Sequence, residues 1–539
     1  MLGDVEKFIP FSLPIEQKET LIDGKLVEIG KDKIDIYSPV YLDGKPVYLG
    51  THPKMNQQES ILALEAAIKA FDNGNGIWPT MKVEDRIKAV EKFLTLMKKA
   101  EKEIVALLML EIAKSKTDSE KEFTRTINYI EDTIFALKDL DRISSRLVIA
   151  DNVYAQIRRS PLGIVLCMGP FNYPLNETFT TLIPALIMGN TVIVKPPKIG
   201  VLFYKYLLPF FAEAFPSGVV NFIYGDGPTI ITPIISSGRV DVLAFIGRSK
   251  VADIIRKQHP APHRLRCILG LDAKNPAIIL NDADLELTVN EVISGSLSFN
   301  GQRCTALKII FVERKIAEDF KQNFLEKIKK LKIGNPWEDS FITPVAEKTK
   351  PVQIYKMVED AIKKGANAFI DGSKIELDDL EFYLPSDENN IHSQLLKPII
   401  LWDVKENMEV FNIEQFGPVV PVVIFDSISE PLSYIINSNY GQQASIFSND
   451  PEKIAKLIDP LVNQVSRVNI NSQCQRGPDI FPFTGRKDSA EGTLSISDAL
   501  RVFSIRSLVA FKGNQSNKEI VDKILDKRLS NFLNTDFIL

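Results

Sequence analysis

The chain has 539 residues, of which 45% are hydrophobic and 25% charged, and its formal net charge is −4. This composition describes a soluble globular protein of two or three domains. It gives no reason to expect nucleic acid or an anionic membrane as partner. Four cysteines, at 167, 267, 304 and 474, are too scattered for a disulfide framework, and no CxxC pair suggests zinc, so no metal centre is expected.

Residues 1–6 carry an early acidic pair, Asp4 and Glu6, and no apolar stretch, so no signal peptide is expected. No run approaches the length of a membrane span. A reduced, cytoplasmic setting follows. Residues 56–142 read largely helical, with apolar positions such as Ile61, Leu64, Ala67, Ile68 and Phe71 recurring at helical spacing.

Between 161 and 281, continuous apolar runs alternate with helical stretches. The runs lie at 163–168, 191–194, 219–224, 241–246 and 265–269, and the helices include 178–188 and 203–215. This is the pattern of a doubly wound parallel sheet, which binds nucleotides beyond the carboxyl ends of its strands. Those ends carry Gly169-Pro170-Phe171-Asn172-Tyr173-Pro174, Lys195-Pro196-Pro197-Lys198, Gly225-Asp226-Gly227-Pro228 and Gly247-Arg248-Ser249. Each could be an ordinary turn, but four on one rim favour a ligand crevice. No strict GxGxxG occurs, and Gly247 followed by Ala252 is its only loose echo.

Residues 285–299 read as a helix, and strands and helices then alternate to about 450. An acidic stretch at 372–396 is expected to be a solvated loop, and the polar, helical segment beyond Lys512 an appendage. Cys304 closes Ser298-Phe299-Asn300-Gly301-Gln302-Arg303-Cys304, beside a cationic neighbour that lowers a thiol's pKa. By local chemistry alone, a nucleophile and a structural cysteine stand level. The four histidines, 52, 259, 263 and 392, form no motif with it, which gives a Cys-His hydrolase little encouragement.

Four motifs in order, FNYP at 171–174, KPP at 195–197, GQRCTA at 301–306 and EQFGP at 414–418, resemble the aldehyde dehydrogenase superfamily. The resemblance implies an α/β fold with a Rossmann-type parallel-sheet cofactor domain, an α/β catalytic domain and a small β oligomerisation hairpin. Within that superfamily, Arg125, Arg303 and the run Gln475-Arg476-Gly477-Pro478-Asp479 are similar to the non-phosphorylating, NADP-dependent glyceraldehyde-3-phosphate dehydrogenases. The resemblance implies Cys304 as nucleophile and Asn172 as oxyanion donor. It places Lys195, Lys198, Gly227, Gly247, Arg248, Glu414 and Phe416 on the cofactor, and Arg125, Tyr173, Arg303 and Arg476 on a substrate phosphate. Guanidinium forks suit a dianionic phosphate. NAD-using relatives commonly carry a glutamate where this chain has Lys198, and an ammonium there attracts the 2′-phosphate of NADP.

One position departs from the resemblance. The general-base glutamate of the superfamily falls at Gly270, in Gly270-Leu271-Asp272-Ala273-Lys274. Asp272 is the nearest acid, but i and i+2 on a strand are roughly 6.5 Å apart, and a capping role is at least as good a reading. The leading expectation is oxidation of glyceraldehyde 3-phosphate to 3-phosphoglycerate through a cysteine thioester. Acyl transfer to coenzyme A, another phosphorylated aldehyde, and an inactive relative are the alternatives. The expected layout is a cofactor domain at 1–142 and 162–284, a catalytic domain at 285–484, an oligomerisation region at 143–161 and 485–512 supporting a homodimer or homotetramer, and an appendage at 513–539.

Overall fold

The protein is described here as a computed structural model, in which residues 6–29, 31–536 and 538 are described. The opening residues 1–5, where no signal peptide is expected, lie outside the described residues. Three sheets organise the rest.

The first sheet is built from the apolar runs, in the order Val220–Phe222, Thr191–Lys195, Ile164–Met168, Val242–Ile246, Arg266–Gly270. These five are parallel. The strands at 164, 191 and 242 are buried at every position. Helices cover both faces, so no polar alternation is needed. The chain steps outward from 164 to 220 and then returns to the other side at 242. The order therefore reverses between Ile164–Met168 and Val242–Ile246, which opens a crevice at their carboxyl ends.

The strand at 266–270 leads directly into Asn275–Ile279 of a second, eight-stranded sheet, so residues 271–274 bridge the two layers. In that sheet Asn275–Ile279 lies between Leu307–Glu313 and Gln443–Phe447. The third sheet is a hairpin, Leu147–Ala150 and Val153–Pro161, whose turn residues Asp151 and Asn152 both have positive φ, 48° and 60°. Positive φ at both turn positions matches the right-handed twist of the strands. Ser504–Lys512 pairs antiparallel along the whole second strand of the hairpin.

Several segments differ from the sequence reading. The run at 219–224 yields only Val220–Phe222, although Ile223 N still donates to Val194 O at 3.0 Å. The acidic stretch at 372–396 is not simply solvated: Leu380 and Leu384 are buried in the core beneath the second sheet. Residues 485–512 do not all follow the hairpin, since Ala490–Glu491 adds antiparallel to Arg266–Gly270 and closes the first sheet. The N-terminal segment forms strands, and its hairpin Glu19–Ile22/Lys25–Glu28 packs on the sheet edge, with Thr20 Oγ1 donating to Phe222 O at 2.7 Å. Beyond helix Gln515–Asp526 the appendage returns to the hairpin, where Arg158 donates to Asn534 O at 3.0 Å and Oδ1 at 2.9 Å.

Candidate active site

A cavity of about 970 Å³ opens at the carboxyl ends of the parallel strands, at the point where strand order reverses. Met168 to Asn172 form one wall, Ile246 to Arg248 the next, and Gly270 to Asp272 the third. Cys304 and residues 413–416, just ahead of strands Leu307–Glu313 and Val419–Phe425 of the second sheet, complete the cavity. Ten of the residues singled out in the sequence therefore meet here: Asn172, Lys195, Lys198, Gly247, Arg248, Gly270, Asp272, Cys304, Glu414 and Phe416. Gly227 does not line the cavity; it opens the helix Gly227–Ser236 nearby.

Cys304 is delivered by a tight turn. Phe299, Asn300 and Gly301 have consecutive φ values of 49°, 57° and 69°. Gly301 is required, because a Cβ there would meet Ser296 O at 2.7 Å and Gly417 O at 2.8 Å. Side chains pin the turn: Asn300 Oδ1 accepts from Thr343 N at 3.0 Å, and Gln302 Oε1 accepts from Ala346 N at 3.0 Å. Asn275 Nδ2 donates to Cys304 O at 2.9 Å. Asn172 Nδ2 donates to Gln302 O at 2.8 Å, which leaves its second N–H for a ligand.

Burial pushes the Cys304 thiol above its ordinary range, while the charges of Lys308 and Arg303 pull it down. Lys308, fully buried, lies 3.0 Å from Glu414 Oε1. Burial likewise raises the Glu414 carboxyl, against the lowering effect of Lys308. Lys274 donates to Ile413 O at 2.8 Å and Gln415 Oε1 at 2.7 Å, which holds the 413–416 loop over the cavity. Residues 274 and 308 were not singled out from sequence. Two buried lysines among apolar runs were the available signal.

On the cofactor side, burial lowers Lys195 to about 8. Lys198 is exposed and lies 3.5 Å from Asp226 Oδ1. A Cβ at Gly247 would meet the Phe245 ring at 2.4 Å, so glycine keeps this wall open. Asp272 Oδ2 accepts from both Ser249 N and Ser249 Oγ at 2.8 Å, capping the helix Ser249–Gln258. The capping role is thus realised.

Two of the arginines, Arg125 and Arg476, are held together by one carboxylate, Asp479. Arg125 makes a two-pronged pair with Asp479, at 2.8 and 2.7 Å, and borders a separate depression of about 580 Å³. Arg476 Nε lies 3.3 Å from Asp479 Oδ1, and its Nη1 pairs with Glu177. Arg303 Nη2 donates to Gly295 O at 2.8 Å, while its buried Nε has no hydrogen-bond partner. Tyr173 packs edge-on against Phe299, with Lys114 Nζ 3.6 Å from its ring centroid. Burial pushes the Tyr173 hydroxyl up to about 12. Glu177 was missed in the sequence, since a helix-opening acid is commonplace.

The family description "Aldehyde dehydrogenase family" matches residues 27–508. The chain belongs to that family. An NADP-dependent glyceraldehyde-3-phosphate dehydrogenase of Streptococcus equinus is 31% identical, over 92% of this chain and 98% of its own length. A malonate-semialdehyde dehydrogenase of Listeria monocytogenes is 29% identical, over 89% and 94%. The crystal structure of an NADP-dependent glyceraldehyde-3-phosphate dehydrogenase from Bacillus halodurans, complexed with NADP, superposes with a TM-score of 0.82. It is 30% identical and covers 92% of this chain and all of its own. This aldehyde dehydrogenase has the α/β fold of its relatives and is an aldehyde-oxidising enzyme that uses a nicotinamide cofactor. No described helix is long and apolar enough to cross a membrane.

The enzyme's cysteines differ sharply in environment. Burial pushes Cys167 and Cys474 up to about 12 and Cys267 to about 11, whereas Cys304 is only half-buried. Alkylation is therefore expected at Cys304 alone. Because its thiol titrates above the ordinary range, the labelling rate of the cofactor-free enzyme should rise about ten-fold per pH unit from 7 to 9. A rate independent of pH over that window would show that the thiolate is already formed.

Proposed function

We propose that the enzyme oxidises glyceraldehyde 3-phosphate to 3-phosphoglycerate with NADP, without phosphate as co-substrate. One arrangement carries this reading. Cys304 and Asn172 line a cavity bearing Lys195 and Lys198, and Glu177 on its wall pairs with Arg476, which shares Asp479 with Arg125. The cavity's place at the strand-order reversal, the cationic Lys195 and Lys198 and the open wall at Gly247 fit a dinucleotide carrying a 2′-phosphate. Lys195, Lys198, Gly247, Arg248, Glu414 and Phe416 are the residues that would hold it.

Cys304 Sγ adds to the aldehyde carbon as thiolate, its charge favoured by Lys308. The oxyanion so formed is met by the free N–H of Asn172 and the Cys304 backbone N–H. A nicotinamide cofactor held by these residues would supply the hydride acceptor for this thiohemiacetal. Arg125, Arg303, Arg476 and Tyr173 orient the substrate through its phosphate. Water then cleaves the thioester. The hairpin at 147–161 with its partner strand Ser504–Lys512 leaves exposed Ile505, Leu508 and Val148, which supports assembly into a homodimer or homotetramer.

The test is NADPH formation from glyceraldehyde 3-phosphate with neither phosphate nor coenzyme A added. A burst followed by sustained turnover is expected. Gly270 favours a second reading, transfer of the acyl group to coenzyme A; a burst that stalls until coenzyme A is supplied would establish it. Cofactor choice is tested separately. Lys198→Glu exchanges an attraction to the 2′-phosphate for a repulsion of about 1–2 kcal/mol at exposed separations. The NADP-over-NAD preference in kcat/KM should fall roughly ten-fold or more, and an unchanged ratio would remove Lys198 from the 2′-phosphate site.

A further inference from the structure

Resting on that reading, one question is left open by the fold: which group activates water for deacylation when residue 270 is glycine. Nothing in the backbone demands glycine there. Its φ is outside the left-handed region, and an added Cβ would meet only side-chain atoms, Ile246 at 3.4 Å and Leu494 at 3.7 Å. The carboxylate is therefore absent from a position that has room for it.

Among the described residues, most other carboxylates lining the cavity are engaged or remote. Asp272 caps Ser249, Glu414 pairs with Lys308, Glu347 lies 3.6 Å from Lys350 and Glu409 is exposed. Glu177 is engaged too, but by Arg476. It lies in the first turn of helix Asn176–Ile187, five residues after Asn172, is 5% exposed, and lines the same cavity as Cys304 and Gly270. Its partner Arg476 also donates to Leu494 O at 3.3 Å, and Leu494 is the residue that would touch a side chain at 270. Arg476, the partner of Glu177, thus bonds the backbone of the residue whose side chain borders position 270.

We propose that Glu177 is the general base of deacylation, and that the substrate's phosphate frees it from Arg476. In the unliganded site two guanidiniums, Arg125 and Arg476, face two carboxylates, Asp479 and Glu177. A carboxylate held by a guanidinium is a weak base. A phosphate dianion that takes the Arg476 fork removes that partner and adds like charge beside Glu177. Both changes raise its affinity for a proton. Glu177 then accepts a proton from water as the water oxygen bonds to the acyl carbon. The C–S bond breaks, its electron pair returns to Cys304 Sγ, and the second water proton leaves with ionisation of the product acid. Hydrolysis is thereby tied to a phosphorylated acyl group.

The experiment uses the full-length enzyme with NADP and follows NADPH by stopped flow and the acyl adduct on Cys304 by intact mass. With glyceraldehyde 3-phosphate, Glu177→Gln is expected to keep the burst, lose about 10²-fold or more in steady-state turnover, and accumulate the thioester. Adding Gly270→Glu to that variant should restore turnover. Glu177→Gln turning over within a few-fold of the parent overturns the proposal. A measurement on the unaltered enzyme guards against misfolding: glyceraldehyde, which lacks the phosphate, should acylate Cys304 and stall. Equal turnover with both aldehydes overturns the release by phosphate. No burst in the parent enzyme defeats the substrate reading itself, and this inference with it.

Discussion

Asn172→Ala is expected to slow the burst of NADPH by about 10²–10³-fold while leaving the fold intact. The amide lies beside Cys304, with Nδ2 already donating to Gln302 O at 2.8 Å. That bond fixes the direction of the remaining N–H, so no reorganisation is needed when negative charge develops on the substrate oxygen. The interaction exists only once the thiolate has added, so KM should change little and the acylation rate should carry the loss. Alanine also leaves the Gln302 carbonyl short of one donor, at a cost of about 1 kcal/mol. Stopped-flow burst rates decide the matter. A burst within a few-fold of the parent would mean that the oxyanion is held by the backbone alone.

Lys114→Met is expected to be the most destabilising single change near the site, by about 3–5 kcal/mol. Lys114 and Glu122 are fully buried and paired. Lys114 Nζ also donates to Asn172 O at 2.8 Å and lies 3.6 Å from the Tyr173 ring centroid and 4.6 Å from that of Phe299. Glu122 Oε1 accepts from Leu175 N and Asn176 N, both at 3.1 Å, at the start of the helix that carries Glu177. Removing the cation strands the carboxylate, which only two backbone donors then satisfy. The double variant Lys114→Met/Glu122→Gln removes both charges and should recover much of the loss. Urea unfolding of the two variants measures the difference, and equal stability of Lys114→Met and the parent would contradict the buried pair. Because the pair braces the loop holding Asn172, the burst should slow even in the fraction that stays folded.

The parallel sheet was legible because its strands are buried on both faces, so continuous β-branched runs mark them without regard to partners. The motif residues were legible for a similar local reason: the turn that presents Cys304 has φ of 69° at residue 301, which favours glycine. Leu380 and Leu384 were misjudged because their acidic neighbours dominate the composition of 372–396, whereas burial is decided residue by residue. The tail beyond Lys512 hid its docking on Arg158 and Gln156 because those contacts join positions nearly four hundred apart in the chain.

By itself, the sequence of this aldehyde dehydrogenase marked Cys304 as the candidate nucleophile and determined the cofactor sheet and the glycine where a carboxylate was expected. Each is a property of one residue type at one place in a local pattern. Only the tertiary structure decided what those residues face. It bound Asp272 to Ser249 as a helix cap, gathered Arg125 and Arg476 around Asp479, and set Glu177 on the wall of the cavity that Gly270 also lines. Electrostatic partners act through distance in space, and Glu177 meets Arg476 across 299 positions of sequence, so no local pattern could contain that pairing.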